Sequence, residues 1–262
     1  MKSINNIVIR LVCIQFFSFC MSLCATEQKS PKVGMLVMAT GKYINFVEPL
    51  VVSADKFFLL ECDVSYFVFT DSQEHLARKV EIIRGREIIY IEQERLGWPK
   101  DTLMRPAIYY QHRKKLKFMD YLFAIDADMK IVDTVGNEIL HPLVVVQHPG
   151  YVGRRGTYET RKESSAYVGP REGRVYCAGG FNGGKRKEYM QLCKSITHAI
   201  QEDFKKNIIA CWHDESHLNR YIITHQEDVV VLTPSYCYPE SKDIPFHPRI
   251  IALDKNHKEM RS

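Results

Sequence analysis

From Lys32 onward the chain alternates compact apolar runs with segments whose apolar residues recur every three or four positions. The runs "KVGMLVMAT" (32–40), "VSYFVFTD" (64–71) and "KFMDYLFAIDADM" (117–129) stop at small or acidic residues. They predict buried strands emptying into loops. "VEIIRGREIIYIE" (80–92) predicts one or two more strands. "YINFVEPLVVSADKFFL" (43–59) has helical spacing, with Pro49 expected as a break or kink. "TLMRPAIYYQHRKKL" (102–116) predicts a helix after Pro106. A long amphipathic helix is expected over 185–206 and a second over 215–225. Strands alternating with helices predict an α/β fold with a mostly parallel central sheet flanked by helices. The Gly- and Arg-rich stretch 148–174 reads as a long loop region, which in a compact domain is usually functional or disordered.

The first 30 residues follow a different pattern. Lys2 and Arg10 precede an apolar stretch from Leu11 to Ala25, about 15 residues long and so short for a membrane span of about 20. A secretory signal or a short anchor is expected over 1–25, placing the protein outside the cytoplasm or at a membrane through residues 4–25. A chain of 262 residues with 45% hydrophobic positions suits one large domain or two small ones. Its formal net charge of +5 comes from mixed acids and bases, and no block of like charges stands out, which argues against a nucleic-acid binder. Five cysteines beyond the first 30 residues are widely spaced, without a CxxC, and read as buried thiols.

Three stretches carry candidate chemistry. Asp126 and Asp128 stand where an apolar strand ends. On extended backbone positions i and i+2 point the same way. Two carboxylates aimed together repel unless a hard divalent cation lies between them. On the spacing alone, a pair of solvated loop acids is the favoured reading. In "ACWHDESHLNRY" (210–221), His213 and His217 are spaced as zinc ligands would be on a helix, but Asp214 stands where a zinc protease needs glutamate. Asp214 or Ser216 could cap a helix there; Glu215 beside Trp212 could face a sugar. In "YCAGGFNGGKRKEY" (176–189) paired glycines allow close backbone approach and a tight turn into the next helix.

In this order, "DADM", "HPGYVGRRGTYETR", "AYVGPREGRVYCAGGFNGG", "WHDESHLNRY" and "DKNHKEMR" strongly resemble glycosyltransferase family 6 over residues 32–261, with the block from His148 to Tyr221 the most specific. The resemblance implies a GT-A fold: a domain over 26–262, with a donor half near 32–135 and an acceptor and catalytic half near 136–262. It implies a retaining transfer of galactose or N-acetylgalactosamine from a UDP-sugar to the 3-hydroxyl of a β-galactoside on an oligosaccharide, glycolipid or polysaccharide. Asp126, Ala127 and Asp128 match the metal-binding D-x-D, so Mn2+ is the implied cofactor. Met38, Ala39, Thr40 and Tyr43 match the uridine pocket. Glu215 matches the proposed nucleophile or cation-stabilising carboxylate, and Asp214 a donor contact. His148 and Thr157 match acceptor contacts, with Trp212 beside them. Lys255 and Arg261 match basic residues of a tail closing over the diphosphate. Arg105 remains of a neighbouring arginine pair whose second place holds Pro106.

Tyr238 and Pro239 stand where animal members carry an acidic acceptor contact, which leaves the acceptor's further sugars open. The segment Ala178, Gly179, Gly180 is expected to line the sugar's 2-position. Small side chains there leave room for an acetamido group, so UDP-N-acetylgalactosamine is expected over UDP-galactose. The alternative from another class is a protein of the same fold that binds UDP-sugar or glycan without transfer.

Overall fold

The computed structural model describes residues 30–261, so the expected signal or anchor over 1–25 lies outside the described residues. In chain order the elements are β1 (Lys32–Met38), α1 (Val47–Phe57), β2 (Asp63–Thr70), α2 (Gln73–Arg78), β3 (Val80–Ile83), β4 (Arg86–Glu92), α3 (Lys100–Leu103), α4 (Arg105–Gln111), β5 (Tyr121–Asp126) and β6 (Met129–Ile131). They continue with β7 (Leu143–Gln147), β8 (Cys177–Lys185), α5 (Arg186–Lys205), α6 (His213–Thr224), β9 (Val229–Leu232), β10 (Tyr238–Pro239), β11 (Ile250–Ala252) and α7 (His257–Arg261). Eight strands form one sheet in the order β3-β4-β2-β1-β5-β8-β7-β9, and β10-β11-β6 form a small second sheet.

Alternation in the central strands serves both faces. Met35, Val37, Tyr66 and Val68 pack on the side of α1, while Leu36, Phe67 and Phe69 pack toward α4, α5 and α6. Strands covered on both faces read as continuous apolar runs, which is why β1 and β2 were visible in the sequence. Pro49 does not kink α1. It occupies the first turn, where an N–H would lack an intrahelical acceptor anyway.

β4, β2, β1 and β5 run parallel, but β8 runs antiparallel between β5 and β7. The paired glycines lie inside this strand rather than at a turn. A Cβ on Gly183 would sit 2.3 Å from the Leu122 carbonyl oxygen, and one on Gly184 would sit 2.1 Å from that of Pro142. Close approach of three backbones, not a tight turn, demands glycine here. The reversal has a topological consequence. The N-terminal end of β8, with Gly179 and Gly180, lies at the same edge as the C-terminal ends of β5 and β7. In an open α/β sheet that edge is where ligands bind.

Candidate active site

Asp126 is the last residue of β5, while Ala127 and Asp128 form the turn into β6. The two aspartates are therefore not neighbours on one extended strand, as the spacing predicted. The turn nevertheless brings both to one cleft of about 240 Å3, where Met38, Thr40, Tyr43 and Ala127 also line the wall. Arg95, Trp98, Asp101, Thr102, His257 and Met260 complete it, none of them singled out in the sequence. They lie on the segment around α3 and on the C-terminal tail, which only the fold brings to β5.

Asp126 and Asp128 each have a cationic partner. Arg105, at the start of α4, donates to both Asp126 and Asp214, the latter at 2.8 Å. Burial works against the Arg105 charge, but the carboxylates of Asp126 and Asp214 outweigh it and hold the guanidinium well above its usual range. Asp214 is pushed up to about 6 by burial, against the pull of Arg105. Asp128 pairs with Lys255, whose ammonium also lies 5.7 Å from the centre of the Tyr43 ring. β11 pairs antiparallel with β6, setting Ala252 opposite Met129, and the Leu253 amide donates to the Asp128 carbonyl. This short ladder delivers Lys255 to the aspartate turn. A tail that composition alone would leave frayed is docked.

Glu215 is the third residue of α6. At this position a capping box would turn its carboxylate back to the helix start. Here Ser216, inside the helix, takes that task by accepting from the Trp212 amide at 2.9 Å; Trp212 holds the N-cap position, so neither Asp214 nor Ser216 is the N-cap. Glu215 instead accepts from the Tyr176 hydroxyl at 2.7 Å and the Gly179 amide at 2.8 Å. Burial pushes its carboxyl up to about 7, against these two donors. His217 is no metal ligand: it is buried against Asp203 at 3.7 Å, and burial lowers it to about 4. Among the described residues no group of three or more His, Cys, Asp or Glu side chains is placed to hold a metal.

An aromatic wall adjoins Glu215. Tyr176 touches the rings of His148, Tyr151 and Tyr158, and the Tyr151 hydroxyl bonds Thr157 Oγ1 at 2.9 Å. His148 and Thr157 thus gather with Glu215 through two tyrosines that the sequence reading did not name. Trp212 stands half exposed beside them. The loop 148–174 is anchored by buried acids. Glu159 holds the Arg161 guanidinium and accepts from the Cys211 amide at 2.9 Å; Asp203 accepts from Ser164 Oγ at 2.6 Å.

The sequence model of glycosyltransferase family 6 matches residues 22–262. Rat histo-blood group ABO system transferase 1 is 35% identical over 88% of this chain and 68% of its own length. Chicken globoside alpha-1,3-N-acetylgalactosaminyltransferase 1 is 32% identical over 88% and 69%. The Escherichia coli O-antigen biosynthesis glycosyltransferase WbnI is 31% identical over 86% and 96%. The chain belongs to glycosyltransferase family 6. It is a glycosyltransferase, and its eight-stranded sheet flanked by helices is the GT-A-like fold of that family.

Some positions matched to the family lie differently from what the resemblance implied. Ala39 and Ala178 are buried in the core packed on α1, so their side chains do not line the cleft. Gly180 lies behind it, where a Cβ would meet Met129 Cε at 2.4 Å and Asp126 Oδ2 at 3.3 Å, while Gly179 borders Arg105 and Glu215. Tyr238 is buried with its hydroxyl on Asp243, so this departure from the animal pattern turns inward rather than toward the aromatic wall. The side chain of Arg261 lies outside the described residues.

Proposed function

We propose that the protein is a retaining α-1,3-glycosyltransferase that moves N-acetylgalactosamine, or less readily galactose, from its UDP-sugar to the 3-hydroxyl of a β-galactoside. One observation carries this reading above all. Arg105 ties Asp126 to Asp214, and the neighbouring Glu215 stands between the acid-lined cleft and the aromatic wall. In this reading Met38, Thr40 and Tyr43 seat the uridine and Lys255 meets the diphosphate. His148, Thr157 and Trp212 seat the acceptor galactose; an aromatic face suits the apolar face of a sugar.

The oxygen-only donor set of Asp126 and Asp128 fits a hard divalent ion that keeps water and substrate oxygens in its shell, with Mn2+ the candidate. When bound it would neutralise charge on the leaving diphosphate. The chain's own residues do the rest. Arg105 and Lys255 hold the two aspartates in place and balance their charge beside the nucleotide. Glu215, oriented by Tyr176 and Gly179, lies where positive charge develops on the sugar in an oxocarbenium-like transition state. Whether it bonds the sugar or only steadies it, it must be ionised.

Gly179, where a Cβ would stand 3.4 Å from Arg105 and Glu215, leaves space beside that carboxylate and supports the N-acetylgalactosamine donor. Both donors assayed against lactose and 2′-fucosyllactose, with and without Mn2+, test the reading. Transfer from UDP-N-acetylgalactosamine with an α-linked product by NMR is expected. Faster turnover of UDP-galactose would reverse the donor assignment, and donor binding without transfer to any β-galactoside would favour a non-catalytic binder. The O-antigen biosynthesis role of the Escherichia coli relative and the apolar run before Ala25 also support a place in assembling an exported or membrane-bound glycan.

A further inference from the structure

The end of the sheet opposite the cleft collects basic side chains that the proposed reaction does not use. The chain enters β1 at Lys32, and the β3–β4 turn carries Arg84. The connection from α4 to β5 carries Lys114, Lys115 and Lys117, and β8 leaves the sheet at Lys185 into Lys187. Strand register puts them together: Lys32 pairs with Asp63, Val33 with Tyr121, and Tyr121 with Lys185. All but the half-buried Lys32 are exposed. No block of like charge stood out along the chain because these residues are separated by tens of positions.

Two large apolar side chains stand among them. Phe118 is 68% and Leu60 58% exposed, and both line one open concavity with Lys32, Arg84 and Lys115. The Lys117 ammonium sits 4.6 Å from the centre of the Phe118 ring. Asp55, Asp63 and Glu87 share the concavity, Asp55 facing Arg86 at 3.9 Å, and Glu61 and Asp120 adjoin it; Lys114, Lys117, Lys185 and Lys187 around it leave the face net positive. Exposed aromatic and aliphatic side chains ringed by lysines match the interface of a bilayer with anionic headgroups.

We propose that this end of the sheet docks on an anionic phospholipid surface, Phe118 and Leu60 entering the headgroup layer and the lysines meeting the phosphates. Six residues separate Ala25, the end of the apolar run, from Lys32. That tether spans at most about 25 Å, so a lipid-held run keeps this end of the sheet near the surface. The cleft at the other end then faces water and acceptor. The tether argument rests on the membrane reading of that run; the basic and apolar face stands without it.

Full-length protein mixed with vesicles of pure phosphatidylcholine, or with about 30% phosphatidylglycerol, tests the proposal. At about 0.1 M salt the anionic vesicles should bind at least tenfold more tightly, and the difference should close at about 0.5 M as screening shortens. Reversing Lys114, Lys115 and Lys117 to glutamate should cut anionic binding about 100-fold. Transfer to a soluble acceptor should stay unchanged, which shows the variant folded and separates this outcome from failure of the proposed reaction. Hydrogen exchange of the peptide spanning 112–119 should slow on anionic vesicles. Equal binding to both vesicles, an unaltered preference in the triple variant, or binding to tRNA as tight as to anionic lipid would overturn the proposal.

Discussion

Glu215 combines a demand for charge with an environment that opposes it. Burial raises its carboxyl to about 7, so in the proposed reaction kcat/KM should fall about tenfold per pH unit below that value. Glu215→Gln should lose at least about 1000-fold in transfer while UDP binding persists. The same shift has a stability sign. Between the unfolded value of 4.5 and the folded value of about 7, the folded protein holds a proton that the unfolded chain releases. Stability from this group is therefore complete below pH 4.5 and is lost as pH rises through 7. A Gln side chain can still accept from Gly179 and donate to Tyr176 without that ionisation cost. The Gln variant's Tm advantage over wild type should thus grow from pH 5 to pH 8, and a difference that stays flat would remove the buried-carboxylate account. Two glycines separate packing from specificity. Gly183→Ala forces a Cβ to 2.3 Å from a backbone oxygen and should cost about 1–3 kcal/mol. At Gly179 the nearest atoms, on Arg105 and Glu215, stand at 3.4 Å, so alanine should leave Tm nearly unchanged and shift donor preference toward UDP-galactose. Thermal melts and paired donor assays separate the two effects.

At the scale of elements, two connections hold the cleft's rim. The β6–β11 ladder carries Lys255 to Asp128 and, through Leu253, returns a hydrogen bond to the same turn. Lys255→Met removes the cation but keeps much of the stem. It should raise KM for the donor and make the tail cleave faster at Lys258 under limited trypsin digestion. Digestion at an unchanged rate would mean the ladder alone docks the tail. The second connection is Glu159, buried under the 148–174 loop and held down to about 2, chiefly by the Arg161 guanidinium. It joins the loop to Cys211, one residue before Trp212. Glu159→Gln leaves the guanidinium without its counter-charge and should cost about 1–3 kcal/mol, read as a lower Tm, with KM for the acceptor raised more than KM for the donor. Equal changes in both would place the loop's role in the fold rather than at the acceptor.

Across the whole molecule the sheet is polarised. One end gathers the acids, Arg105 and the aromatic wall; the other gathers lysines around Phe118 and Leu60. The element types were legible beforehand because β1, β2 and β5 are covered on both faces and α5 carries a clear apolar stripe. The place of β8 was not. Its glycines read locally as a turn, and only two neighbouring backbones within van der Waals reach reveal them as a strand interior. Asp126, Asp128 and Glu215 were legible as motif residues. Tyr176, Glu159, Trp98 and His257 were not, since a lone aromatic or acidic residue carries no local sign of what it will touch. Ala39 and Ala178 show the converse: a position inside a matched motif whose side chain turns into the core.

The order of apolar runs and motif residues along the chain by itself determined the α/β class and the family, because periodicity and short motifs are local properties. The tertiary structure alone decided that β8 runs backward between β5 and β7, that Arg105 joins Asp126 to Asp214, and that Tyr176 and Ser216 leave Glu215 aimed across the site rather than at its own helix. Those are choices among partners distant in sequence. Their energies depend on burial and strand register, which exist only once the sheet is assembled.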